Sequence, residues 1–119
     1  MIRHNNDYRL EERFEMRGGK GTVKIEHLWE PKSQILAPNR LMARITLEPG
    51  CSVGFHPHDS EEELYYVLSG QALVNDDGVE TILNVGDCTL TGNGAGHAIA
   101  CSGNEPLVIM AIVSSYVGE

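Results

Sequence analysis

Short apolar–polar alternations recur from Thr22 onward, and they constrain the fold of this chain more than any other feature of its sequence. A period of two places successive side chains on opposite faces of an extended strand. Glycine, proline or an Asp-Gly pair interrupts the pattern every few residues, and no long stretch has the spacing of an amphipathic helix. We therefore predict an all-β chain of about eight to ten short strands in a sandwich or barrel.

The first part of the chain departs from this alternation. Residues 8–17 are dense in charge, and their pattern leaves a short helix and a solvated strand both open. The Gly-Gly-Lys-Gly run at residues 18–21 indicates a turn or a flexible arm. It is not a phosphate-binding loop, because no predicted strand precedes it and no Gly-Lys-Ser/Thr closes it. We predict an N-terminal arm over residues 1–21 and a barrel over residues 22–119.

The size and charge of the chain limit its classes of partner. Its 119 residues and 13.1 kDa correspond to one domain. Seventeen acidic residues against nine basic ones give a net charge of −8, which repels phosphate backbones and anionic membrane surfaces. We therefore expect neither nucleic acid nor membrane as a partner, whereas a small anion held by one local cation is compatible with this charge.

The cysteines and the apolar runs indicate a cytoplasmic protein. Three cysteines without a C-x-x-C spacing fit neither a disulfide framework nor a thiolate zinc site. We expect Cys88 and Cys101 to be packed in strands and Cys51, beside a turn, to be the most exposed thiol. The first residues form no apolar leader, and the longest apolar run, residues 107–113, is too short to cross a bilayer.

Three of the five histidines lie in two glycine-bounded segments. His56 and His58 are two residues apart, so their side chains project from one face of an extended strand. Glu63 opens the next alternating strand, and a connecting turn would bring its carboxylate back beside the two imidazoles. This facial set suits a divalent first-row metal ion and leaves coordination positions open. His97 follows a glycine-rich turn in the second segment and is a third histidine candidate.

Glu61 and Glu62 compete with Glu63 for the role of the carboxylate ligand. The strand register favours Glu63, because it directly precedes the apolar strand and a shift of one residue would reverse its face. If Glu62 were the ligand, Tyr66 rather than Tyr65 would face the site.

The two histidine segments resemble the paired motifs of the cupin superfamily. The first motif has the form Gly-x5-His-x-His-x4-Glu-x6-Gly, and every fixed position is matched, by Gly50, His56, His58, Glu63 and Gly70. The second motif is matched at Gly86, Gly94 and His97. It departs at Gly92, where proline is usual, and at Cys101, where asparagine is usual.

This resemblance implies an all-β double-stranded β-helix, the jelly-roll barrel, with one divalent metal ion in its mouth. The implied ligands are His56, His58, Glu63 and His97, and the family's metals include manganese, iron, zinc, nickel and copper. The chain is similar to single-domain cupins that are germin-like or oxalate-decarboxylase-like. Val53, however, stands where an arginine is expected in oxalate decarboxylases.

Two functions follow from this resemblance. The first is a metal-dependent enzyme, an isomerase, decarboxylase or dioxygenase, acting on a small polar or carboxylate-bearing molecule. The alternative is a non-catalytic, metal-dependent module that binds or senses a small molecule. Tyr65 is a candidate catalytic residue if it faces the interior, although a core aromatic is the simpler interpretation. Arg44 would bind a substrate carboxylate if it points inward and would be a solvated side chain if it points outward.

The face that carries Val23, Ile25 and Trp29 predicts a homodimer, because an exposed apolar sheet is a candidate interface. His27 lies on the same face and is interpreted as a buried or interface histidine rather than a further metal ligand. His4 is expected to be solvated.

Overall fold

The computed structural model describes residues 1–116, and this part of the chain is built almost entirely from β-strands. No helix within it has the length and apolarity to cross a membrane. A 3₁₀ turn covers Met16–Gly18. The strands are β1 (Arg9–Phe14), β2 (Thr22–His27), β3 (Asn39–Leu47), β4 (Ser52–Pro57), β5 (Glu61–Ser69), β6 (Ala72–Asp76), β7 (Val79–Leu83), β8 (Cys88–Gly92), β9 (Gly96–Cys101) and β10 (Leu107–Ser115).

The strands form two antiparallel sheets. One has six strands in the order β1-β2-β3-β10-β5-β8, and the other has four in the order β4-β9-β6-β7. From β3 onward the chain passes repeatedly from one sheet to the other, so that sequence neighbours such as β4 and β5 lie in different sheets. The predicted all-β jelly-roll barrel is confirmed.

The core lies between the two sheets and collects alternate side chains from each. In β3, Ala43, Ile45 and Leu47 are buried, while the intervening side chains lie on the outer face. Burial of each large aliphatic side chain contributes about 1.5–3 kcal/mol to folding. Ile99 and Val74 complete the core from the four-stranded sheet.

The predicted apolar interface on β2 is wrong. Val23 is 0% exposed and Ile25 is 2% exposed, because both side chains point into the barrel's own core. Trp29 is half-buried, and the Arg3 guanidinium lies 4.7 Å from its ring centre. The homodimer stays a prediction, but this face does not support it.

The charged N-terminal segment forms a strand rather than a helix. β1 pairs with β2 along the edge of the six-stranded sheet, so residues 9–14 of the predicted arm extend the sheet. The chain then turns over β4, where the Ser52 amide donates to the Lys20 carbonyl oxygen at 2.8 Å. A Cβ atom on Gly19 would lie 2.2 Å from the Ser52 carbonyl oxygen, so this close approach requires glycine.

The thiols differ from expectation in two respects. Cys101 is buried as expected, but Cys88, predicted to be packed, is exposed, and Cys51, predicted to be the most exposed thiol, is half-buried. Cys88 belongs to β8, an edge strand whose outer face has no covering layer among residues 1–116.

Candidate metal centre

The four implied ligands meet at one end of the barrel, between the two sheets. Pairing of β4 with β9 places His56 directly opposite His97. His58 follows the end of β4, and the chain then returns through Ser60, at φ 59°, so that β5 in the other sheet delivers Glu63. None of the four residues is more than 5% exposed.

The donor atoms of these side chains converge on one point. The Nε2 atom of His97 is 3.0 Å from Nε2 of His58 and 3.2 Å from Nε2 of His56. The Oε1 atom of Glu63 is 2.9 Å from Nε2 of His58, 3.0 Å from Nε2 of His97 and 3.8 Å from Nε2 of His56. Three imidazoles and one carboxylate thus face one another and form a group that can hold a metal ion.

Hydrogen bonds on the far side of two rings define which nitrogen carries the proton. The Nδ1 atom of His56 lies 2.8 Å from the Gly54 carbonyl oxygen, and Nδ1 of His58 contacts the Glu61 carboxylate. Both partners only accept, so each Nδ1 carries hydrogen, and in the neutral, metal-binding form of each ring Nε2 directs a lone pair into the cluster. The Glu63 carboxylate is a third acceptor, and a cation satisfies all three at once.

The spacing of the donors fits a divalent ion. Two donor atoms about 2.1 Å from one ion lie about 3.0 Å apart at right angles and about 3.4 Å apart at a tetrahedral angle. The separations among His58, His97 and Glu63, from 2.9 to 3.0 Å, match the right-angle value, whereas His56 lies further away, at 3.2 Å from His97 and 3.8 Å from Glu63. Imidazole nitrogen and carboxylate oxygen without thiolate suit manganese, iron, nickel or zinc.

His97 is held differently from the other two histidines. Its Nδ1 atom is buried and has no hydrogen-bond partner among residues 1–116. Its ring instead stacks on Tyr65, with centroids 4.5 Å apart and the planes at 2°. Tyr65 is 2% exposed, so it faces the interior at the base of the site, as the Glu63 register requires.

Burial and charge shift the pKa values of the residues in and beside the cluster. In the metal-free cluster, the hydrogen bond that the His58 ring donates to Glu63 raises the pKa of His58 against the effect of burial, whereas burial lowers the pKa of His97. Burial alone would raise the pKa of Glu63, but the hydrogen bonds that it accepts from the imidazoles of the metal-free cluster hold it well below its usual range. Burial, followed by the negative charge of Glu63, raises the pKa of Tyr65 well above its ordinary value.

Glu61 supports the cluster from behind. Its carboxylate accepts two hydrogen bonds of 2.7 Å from Arg40 and also contacts Nδ1 of His58. The Arg40 hydrogen bonds lower the pKa of Glu61 to about 2, although burial opposes the shift. Sequence reasoning treated Glu61 only as a rival ligand. Its position three residues after His58, across a tight turn, is the signal that could have revealed this role.

A cavity of about 80 Å³ opens over the cluster. His56, His58, Glu63 and Tyr65 form one side of it. Three arginines also line it and make its rim basic, Arg13 and Arg17 from the N-terminal segment and Arg40 from β3. Sequence reasoning missed these arginines, because the pairing of the charged segment was undecided and nothing local indicated where β1 would lie.

Arg44 does not join the site. It takes the outward of its two predicted orientations and donates hydrogen bonds of 3.0 Å to both carboxylate oxygens of Glu26. The reason is the register of β3, where its neighbours Ala43 and Ile45 point into the core. His27 is buried as expected and lines the cavity, with Nε2 2.7 Å from a Glu11 carboxylate oxygen, but it is not part of the ligand group.

Comparison with known proteins identifies the family. The family model described as the Cupin domain matches residues 43–113, which contain all four implied ligands. The chain belongs to the cupin family. A curated oxalate-binding protein of Thermotoga maritima is 37% identical over 113 residues, covering 95% of this cupin and 93% of the relative.

Solved structures agree with this assignment. The crystal structure of a predicted oxalate decarboxylase from Thermotoga maritima superposes with a TM-score of 0.91 at 36% identity, over 97% of this cupin and 99% of that chain. An RmlC-like cupin from Shewanella frigidimarina superposes with a TM-score of 0.76 at 18% identity, over 96% of this cupin and 89% of that chain. The second likeness shows the fold alone.

Proposed function

We propose that this cupin binds a small carboxylate of the oxalate class at one divalent metal ion held by His56, His58, Glu63 and His97. The observation that carries the proposal is the convergence of three imidazole nitrogens and one carboxylate oxygen beneath a small cavity with a basic rim. The relative named oxalate-binding protein, which aligns over almost the whole chain, supports the choice of ligand class.

The metal would supply positive charge and open coordination positions for carboxylate oxygens. The right-angle spacing of three of the four donors, those of His58, His97 and Glu63, favours manganese, iron or nickel, which adopt octahedral coordination, over tetrahedral zinc. Absorption spectra of the cobalt(II)-loaded protein test this preference. Weak visible bands are expected for octahedral coordination, and intense bands would contradict it.

The cavity limits the size and charge of the ligand. A volume of about 80 Å³ accommodates a few water molecules, and so a ligand of only a few non-hydrogen atoms. Although the whole chain carries a net charge of −8, the rim of this cavity carries three arginines. A small anion therefore meets positive charge locally.

A metal-dependent enzyme, of the isomerase, decarboxylase or dioxygenase type, is the second candidate. The His27–Glu11 pair favours it, because a histidine hydrogen-bonded to a carboxylate beside a cavity is suited to proton transfer. Tyr65 is the candidate proton donor at the base of the site. Conversion of oxalate by the metal-loaded protein, followed by chromatography of the products, distinguishes catalysis from binding alone.

The test of the proposed function combines metal analysis with calorimetry. Elemental analysis is expected to find about one divalent ion per chain in the wild type, and oxalate is expected to bind the metal-loaded protein but not the metal-free one. His4→Ala provides a matched control, because His4 is exposed and far from the cluster in sequence. Absence of a bound divalent ion, or equal oxalate binding without metal, would refute the proposal.

We also infer a homodimeric, cytoplasmic protein that binds neither nucleic acid nor membranes. The acidic net charge of −8 supports the last two points. Sedimentation equilibrium of the metal-loaded protein tests the dimer, and a monomer at all concentrations would exclude it.

A further inference from the structure

Arg17 differs from the other arginines of the described chain in its partners. Its side chain makes no hydrogen bond or ion pair with any of residues 1–116. Each of the others donates at least one hydrogen bond, namely Arg3 to the Leu28 carbonyl oxygen, Arg9 to Glu30, Arg13 to Glu11, Arg40 to Glu61 and Arg44 to Glu26. Arg17 therefore keeps all its donors available at the rim of the cavity.

The backbone of Arg17 is fixed against β4. It lies in the 3₁₀ turn Met16–Gly18 with φ 56°, a left-handed conformation that non-glycine residues adopt infrequently. A Cβ atom on Gly54 would lie 2.0 Å from the Arg17 carbonyl oxygen, so the turn rests directly on β4, two residues before His56. Tight packing enforces this conformation, and such enforced conformations concentrate at ligand sites.

Arg17 lines the same cavity as Glu63 and Tyr65. Because the side chain has no partner among residues 1–116, its positive charge is available to an anion that occupies this cavity.

The other two arginines of the rim already serve neighbouring carboxylates. Arg40 holds Glu61, which in turn orients His58, so Arg40 is a positioning residue of the metal centre. Arg13 donates to Glu11 at 2.6 Å, and Glu11 contacts His27. Glu61 engages both the Nε and the Nη2 of Arg40, and Glu11 engages the Nε of Arg13, so neither arginine offers a whole guanidinium to a ligand.

We propose that Arg17 binds a carboxylate of the anionic ligand and selects doubly charged over singly charged molecules. The inference rests on the proposed function, since it names the residue that completes the carboxylate site. A guanidinium presents paired donors that match a carboxylate, and these donors are unengaged only in Arg17 among residues 1–116. The N-terminal segment thereby contributes the specificity of a site whose metal ligands come from the barrel.

Calorimetric titration of the manganese-loaded protein tests this inference with two probes of similar size, oxalate and glyoxylate. The variants are Arg17→Gln, Arg17→Lys and the control Arg9→Gln, which removes an exposed arginine that does not line the cavity. Manganese affinity and the thermal midpoint are measured for each variant, so that loss of metal or of folding is seen separately.

Arg17→Gln is expected to lower oxalate affinity about 10- to 100-fold, with a smaller loss for glyoxylate and unchanged manganese affinity. Arg17→Lys is expected to recover part of the loss, because the charge returns without the paired donors. If the wild type binds oxalate and Arg17→Gln binds it equally well, or loses both probes equally, the role of Arg17 is refuted and the proposed function stands. If the wild type binds neither probe, both proposals fall.

Discussion

The metal cluster and the N-terminal turn both line one small cavity, and they are built in different ways. The cluster is buried, and its residues come from β4 and the turn after it, β5 and β9. Their side-chain nitrogen and oxygen atoms mostly contact one another. The turn is exposed, lies on the surface of β4 and leaves Arg17 without a partner among residues 1–116. The barrel thus supplies a preorganised set of metal ligands, and the segment outside the two motifs supplies the group that distinguishes one ligand from another.

Removal of a metal ligand is expected to have the largest effect. His97→Ala deletes the imidazole that contacts the other three ligands, so metal affinity should fall by well over about 100-fold, more than the loss typical of a supporting residue. Elemental analysis after dialysis measures the loss, with His4→Ala as control. Full metal content in His97→Ala would show that this cluster is not the metal site.

Removal of the support behind the cluster should have the next largest effect. Glu61→Gln keeps the size of the side chain but removes the charge that links Arg40 to His58. Metal affinity is expected to fall by about 10- to 100-fold while the fold is retained. Competition with a chelator measures the affinity. Glu62→Gln, one residue further along β5 and outside the ligand group, serves as the matched control.

Acidification should release the metal at a higher pH than an ordinary histidine site would. Because the Glu63 hydrogen bond raises the pKa of His58, the metal-free cluster takes up a proton at a pH above 6.5, and a protonated imidazole cannot bind metal. Metal affinity should therefore fall about tenfold per pH unit below that raised pKa. Titration of metal content against pH measures this, and release only well below pH 6.5 would contradict it.

The stability of the metal-free protein should fall as the pH rises, whereas metal affinity falls as the pH decreases. Protonated His58 stabilises the folded chain fully below its unfolded pKa of 6.5, and this contribution is lost as the pH rises through the raised folded pKa. The thermal midpoint of the metal-free protein should decline over that interval. An increase there would show that another group dominates.

Displacement of the N-terminal turn should weaken oxalate binding without weakening metal binding. Gly19→Ala forces a Cβ atom to within 2.2 Å of the Ser52 carbonyl oxygen, so the turn must move while β9 and β5 keep their ligands. We expect oxalate affinity to fall about tenfold, at the lower end of the roughly 10- to 100-fold range of a lost charged hydrogen bond, with metal affinity unchanged. Gly103→Ala is the control, since its Cβ would meet nothing closer than 3.9 Å. Equal losses of metal and oxalate would show that the two regions are not independent.

Arg44→Gln should have the smallest effect. The change removes a partly exposed ion pair with Glu26 on the outer face, which contributes less than about 1 kcal/mol. Oxalate and metal affinity should stay unchanged in calorimetry. A tenfold loss of oxalate affinity would mean that the outward orientation of Arg44 is not the one that operates in solution.

Much of the fold and of the candidate site could be predicted from local pattern. The alternation in residues 41–47 indicated which side chains of β3 point inward, and the apolar strand after Glu63 indicated its face. Both inferences concern neighbours within one strand. There, the two-residue period indicates which face of the strand each side chain points to. The wrong interface on β2 arose because alternation identifies an apolar face but does not show what covers it.

By itself, the sequence determined the all-β class and the cupin motifs, and the resemblance to those motifs implied the four candidate ligands. The spacing of His56, His58 and Glu63 is a property of one strand and the turn after it. Only the tertiary structure decided that Arg44 pairs outward with Glu26, that Glu61 supports His58, and that Arg17 reaches the cavity. These outcomes depend on which strands become neighbours across a sheet and on how closely the backbone of one segment approaches another. Contacts between residues far apart in the chain carry no local periodicity from which they could be predicted.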